Sequence, residues 1–153
     1  VTRPGAGPGA GAAEPRYGDP EQVAHAFARA HAGAAHPFDF SLESLRRDVD
    51  AYLDVRPWGP GAETAPYEAH IGLAAYVGES LARLYGGAWQ GRLRIDNPGA
   101  NFYCWWVAFG VYRFFPDHYI GYRLSNGPVE GTFAQYLEGV LARIRAAGHA
   151  DRT

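Results

Sequence analysis

Apolar residues recur at helical spacing in four stretches of the chain and at strand spacing in a shorter region between the third and fourth. Leu42, Leu45, Val49, Tyr52 and Leu53 share one face at a 3.6-residue period. Ser41 precedes them as N-cap, with Glu43 in the first turn and Phe40 placed to staple onto Leu45. An amphipathic helix is predicted there, stopping before Arg56-Pro57, because a residue ahead of proline is pushed out of helical geometry. Residues 58 to 65 read as a Gly/Pro surface loop. An earlier helix is predicted by Asp19-Pro20-Glu21-Gln22, with Asp19 as N-cap and Val23, Phe27 and Ala30 as the buried stripe.

Residues 66 to 85 are apolar on more than one side, through Ile71, Leu73, Tyr76, Val77 and Leu81, and predict a central helix stopped by Gly86-Gly87. Gly72 and Gly78 inside it each cost about 1 kcal/mol relative to alanine, which points to another element approaching closely. A last helix over 130 to 147 is carried by Phe133, Leu137, Val140, Leu141 and Ile144, with Arg143 and Arg145 near its negative end. Between these, 89 to 95 and 102 to 108 read as strands around an Asp96-Asn97-Pro98-Gly99 turn, and 111 to 115 as a third. Residues 116 to 124 fit either a short helix opened by Pro116-Asp117 or a strand through Tyr119, Ile120 and Tyr122. The expected fold is α+β: helices packed on a small, mainly antiparallel sheet of two to three strands, with a C-terminal helix.

Length and composition set the organisation. The 153 residues, 47% hydrophobic and 14% aromatic, suffice for one good core, and no internal repeat divides them. Residues 1–16 lack periodic apolar positions and read as a disordered Gly/Pro/Ala-rich tail, 17–148 as one domain, and 149–153 as a disordered end. All fourteen basic residues are arginine, methionine is absent, and alanine and glycine abound, which points to a G- and C-rich coding sequence such as an actinomycete's. A net charge of -2 with scattered arginines argues against nucleic acid as a partner. The single Cys104 excludes an internal disulfide and fits a reducing compartment. No apolar run is long enough for a membrane span and no signal-peptide layout precedes the domain, so a cytoplasmic location is expected, without a membrane partner.

Several short motifs come in a particular order: the Ser41-Leu42-Glu43-Ser44-Leu45 helix start, Tyr76-Val77-Gly78-Glu79, Gly86-Gly87-Ala88-Trp89, and Asn126-Gly127 before the last helix. In this the chain resembles a group of small uncharacterised bacterial proteins of actinobacterial type, over roughly residues 38 to 145. The resemblance implies an α+β fold and no assigned activity, cofactor or catalytic residue. Some members of that group look like partners of secreted toxins or neighbours of small regulatory genes, which implies a binding role. The Asn101 to Trp106 aromatic block departs from the group's pattern.

No spacing matches a catalytic, metal or nucleotide motif, and no cofactor is expected. Cys104 with His118 as base could form a nucleophilic pair, but a small buried residue on a strand is the simpler reading. The spacing of His25, His31 and His36 does not set three imidazoles on one helix face. His70 and Glu79 lie nine residues apart, on roughly opposite faces of the central helix. Glu79 could be buried against Arg113 or Arg123, or act as an acid of raised pKa. Asp117-His118 falls at a strand-to-helix junction, where sites often form, although a helix cap with a surface histidine is the blander account. Strand alternation sends Phe102, Cys104 and Trp106 to one face and Tyr103, Trp105 and Val107 to the other, leaving both faces large and apolar.

Two functions follow. The favoured one is a non-catalytic binding protein that contacts a protein partner or its own dimer mate through an aromatic sheet face, with Tyr103 and Trp105 flanked by Arg92, Arg94 and Arg113. The alternative is a small-molecule-binding protein or enzyme with an aromatic pocket containing Glu79 and His118. A flat exposed aromatic face would support the first and a concave pocket the second.

Overall fold

The computed structural model describes residues 14–60, 68–128 and 131–149. Among them, five α-helices pack around two small antiparallel sheets, an α+β fold with a C-terminal helix. The chain runs β1 (Tyr17–Gly18), α1 (Pro20–His31), α2 (Leu42–Asp54), a π-turn (Glu68–Gly72) leading into α3 (Leu73–Tyr85), β2 (Ala88–Gly91), β3 (Leu93–Arg94), β4 (Trp105–Phe109), β5 (Tyr112–Phe114), α4 (Asp117–Asn126) and α5 (Phe133–Ala146). No helix among the described residues is long and apolar enough to cross a membrane. Residues 1–13, most of the expected tail, lie outside the described residues, as do 61–67 of the expected loop and central helix, Glu130 of the last helix, and 150–153.

Helix α3 is the centre of the core. Its Leu73, Ala74, Ala75, Tyr76, Val77 and Leu81, with Ile71 of the π-turn before it, are all buried, as an all-round apolar helix requires. Gly72, closing the π-turn, and Gly78, inside α3, admit neighbours: a Cβ on Gly72 would stand 2.9 Å from the Phe27 ring of α1, and one on Gly78 would collide with the Trp89 indole of β2. Gly86, at φ 75°, ends the helix in a left-handed cap. The caps expected for α1 and α2 are present, Asp19 accepting from the Glu21 N–H at 3.0 Å and Ser41 from the Ser44 N–H at 3.0 Å. The stripe of α1 is Ala24, Phe27 and Ala28, with Val23 half-buried and Ala30 exposed, because the face toward α3 lies one position from the expected one. Helix α5 starts later than expected, at a Thr132–Gln135 capping box, and the Asp50 carboxylate of α2 accepts from its first N–H groups at 2.7 and 3.0 Å.

The larger sheet orders β2-β4-β5, pairing Trp89 with Val107 and Val107 with Phe114. The expected strand over 89 to 95 is two strands. Gly91, at φ 82°, packs against the Cys104 carbonyl where no Cβ could fit, and the chain bends there to pair β3 with β1. The expected strand over 102 to 108 begins only at Trp105. A 3₁₀ turn, Pro98–Asn101, replaces its start, pinned by the buried Asn101 side chain, which accepts from the Arg94 N–H at 2.7 Å and donates to the Arg94 carbonyl at 2.8 Å. The ambiguous 116 to 124 segment is helical.

Candidate functional site

Helix α4 opens directly after β5, so its first turn, Asp117-His118, sits at the sheet's end beside the Phe102-Tyr103 turn. Positions 117, 121 and 125 recur at four-residue spacing, which sets them on one helix face. That face and the π-turn's His70 enclose a cleft of about 430 Å³, walled by Phe102 and Tyr122. Gly121 faces His70, whose Nε2 lies 3.5 Å from where a Cβ on the glycine would stand, an ordinary contact distance.

Asp117 is only 4% exposed, and its Oδ1 accepts no hydrogen bond. Burial raises its carboxyl pKa to about 6, while its own N–H and the Trp105 indole draw it the other way. His118 is clasped by rings: its imidazole stacks on Phe115 at 4.9 Å and on Phe102 at 4.9 Å, with Tyr103 edge-on at 4.5 Å. Burial lowers its pKa, and its Nε2 is unpartnered. Tyr103 holds φ 61°, a left-handed conformation that a bulky residue seldom adopts, and this strain lies beside the cleft. A buried carboxyl thus keeps one oxygen unpartnered beside a concave space of this size. No family model matches the chain, nor does any curated protein or solved structure.

The other expected site residues are dispersed. Trp105 is fully buried, stacked on Trp89 at 5.2 Å, so the inner sheet face is core and the flat aromatic surface expected around Trp105 is absent. Alternation holds within β4 itself, where Trp105, Val107 and Phe109 point inward, but not across the turn, where Phe102 and Tyr103 are 61% and 58% exposed. Arg92 lies over the Tyr17 ring at 3.6 Å, Arg94 pairs with Asp96 at 2.8 Å, and Arg113 lies over Trp106 at 5.0 Å. They do not line the cleft. Cys104 is exposed in the turn, not buried on a strand, and its thiol faces the Ala100 and Phe102 carbonyls.

Glu79 is buried, but away from His118. It accepts from the Trp89 indole at 3.0 Å and from Arg83 at 2.9 Å, rather than from Arg113 or Arg123; Arg123 pairs with Asp54 instead. The ligand atoms of Glu21, His25 and Glu79 lie within 4.8 Å of one another. Arg83, however, also reaches His25 Nε2 at 2.8 Å, placing a permanent cation where a metal ion would sit. His36 bonds Asp48 at 3.1 Å and His31 packs on Phe27 and Tyr52, so the three histidines of the first segment do not converge. Among the cleft residues, Phe102, Gly121 and Tyr122 were not singled out as a group by sequence. For Gly121 and Tyr122 the signal was their place on the helix begun by Asp117, visible only once that segment is read as helix, whereas nothing local marked Phe102, which comes from the preceding turn.

Proposed function

We propose that this chain is a small-molecule-binding protein whose ligand occupies the cleft between α4, the π-turn and Phe102. The observation that carries this is the buried Asp117 carboxyl, with one oxygen unpartnered, lining a concave space of about 430 Å³. Clefts of roughly 300–1,000 Å³, mostly apolar with a few convergent polar groups, are the usual form of ligand sites. Glu79 has no part in this pocket, so the reading keeps His118 and replaces Glu79 with Asp117 and His70. Screening a fragment library by ligand-observed NMR against the wild type and Gly121→Leu tests it. The new Cβ would stand on the cleft's helical wall at ordinary contact distance from His70. Fragments should bind the wild type and be lost on the variant with its fold intact; fragments indifferent to Gly121→Leu would sink the reading.

A second reading is supported by the exposed aromatic rings at the cleft mouth, Phe102, Tyr103 and Tyr122. Grouped exposed aromatics favour contact with a protein partner or a second copy of the chain. On this reading the interaction surface is the turn and α4, in place of the buried sheet face.

A further inference from the structure

The ligand's chemistry can be narrowed from what the cleft supplies and what it withholds. Its buried carboxyl is Asp117, and its Oδ1 receives no donor from the chain. The one arginine of α4, Arg123, is committed to Asp54 at 2.9 Å and does not line the cleft. The imidazole of His118, on the same turn, is held among three aromatic rings and disfavours its own charge. His70, Ser125 and Asn126 complete the polar lining. On the walls, the rings of Phe102 and Tyr122 stay open to the cleft, 61% and 47% exposed.

A carboxylate with one oxygen unpartnered, flanked by exposed aromatic rings, is complementary to one class of group. It suits a cation with N–H donors, which the carboxylate neutralises and the ring quadrupoles attract. We propose that the cleft recognises the cationic head of its ligand, an amidinium, guanidinium or alkylammonium group, with Asp117 as counter-ion and Phe102 and Tyr122 as cation–π walls. This rests on the small-molecule reading above. A neutral head could hydrogen-bond the carboxylate without neutralising it, and an anionic head would be repelled.

Three probes of one shape separate charge from fit: benzamidine, benzamide and benzoate. Each is titrated into the full chain at mildly alkaline pH, where Asp117 is ionised, while amide shifts of Gly99, Gly121 and Ser125 are followed by NMR. Benzamidine should saturate these shifts at least about ten-fold more tightly than benzamide, with benzoate silent, the difference expected of a charge-assisted pair plus cation–π contact. In Asp117→Asn, which keeps the side-chain shape, the preference should fall to within about two-fold, the residue left by cation–π attraction alone. Benzamide or benzoate binding as tightly as benzamidine would overturn the inference while leaving the cleft as a ligand site. A preference undiminished in Asp117→Asn would overturn it too. Silence at the cleft from all three probes also removes it, whereas the Gly121→Leu screen decides the broader reading independently.

Discussion

Asp48 on α2 and Asp117 on α4 are both buried carboxylates, and the chain treats them oppositely. Asp48, fully buried, accepts from the Phe38 N–H at 3.1 Å, Ser44 Oγ at 2.6 Å, Arg47 Nε at 2.9 Å and the His36 ring at 3.1 Å. Because Ser44 spends its hydrogen on Asp48, the Tyr76 hydroxyl must donate to Ser44 at 2.5 Å, while accepting from the Phe40 N–H at 3.0 Å. This network fastens the 36–41 segment, where Phe38 and Phe40 hold φ of 45° and 65°, to the central helix. Burial pushes the Asp48 pKa up, but its hydrogen bonds together outweigh that and hold it below the ordinary 3.8. At Asp117 burial wins, because too few donors oppose it. A carboxylate whose oxygens are all given donors is a fastening; one left with an unpartnered oxygen keeps hydrogen-bonding capacity beside the cleft.

The largest break in this contrast is expected from Asp48→Ala. Removing the carboxylate strands buried Phe38 N–H and Ser44 donors, and chemical denaturation should show a loss of about 3–5 kcal/mol. An effect below about 1 kcal/mol would show that the network does not hold the segment. Gly78→Val comes next. Its side chain must displace the Trp89 indole, uncovering Glu79 and turning a third, closed carboxylate into an open one. A loss of about 2 kcal/mol is expected, with altered tryptophan fluorescence, since Trp89 also stacks on Trp105. Unchanged fluorescence would mean that the indole is not displaced.

The smallest effect has the opposite sign. With a folded pKa of about 6 against an ordinary 3.8, Asp117 holds its proton more tightly in the folded chain, so its contribution is most favourable below about pH 4. Stability is lost as pH rises toward 6 and is level above. Asp117→Asn should therefore stabilise the protein at neutral pH by about 1–2 kcal/mol, with the gain vanishing in acid. Asp48 runs the other way: its contribution is present above pH 3.8 and disappears as pH falls through its lowered folded value. Denaturation of wild type and Asp117→Asn across the acidic range separates the two. A gain independent of pH would refute the raised pKa.

Much of the helical architecture was legible because local periodicity and capping write it. Ser41, Asp19, Gly86 and the stripe of α2 are recognisable from a few neighbouring residues, and the close approaches at Gly72 and Gly78 followed from glycine's cost inside a helix. The middle was harder. Phe102, Tyr103 and Cys104 have the composition of a strand, yet the buried Asn101 ties the backbone to Arg94 and turns the chain, so the aromatic run divides into an exposed turn and a buried strand. At the site, Asp117 and His118 stood out at their junction, but the supposed companionship of Glu79 and His118 did not survive, because Glu79 is closed off by Trp89 and Arg83.

By itself, then, the sequence determined the α+β class, the central helix, the principal caps and an unusual density of aromatic side chains, all properties of residues within a turn or two of one another. Tertiary structure decided which aromatic faces are covered and which buried carboxyl keeps an unpartnered oxygen. The reason is that donors come from afar. Asp50 caps a helix 83 residues away, and Glu79 is sealed by an indole on the neighbouring strand. Whether a polar group is satisfied is therefore a property of the packed chain, which no local pattern records.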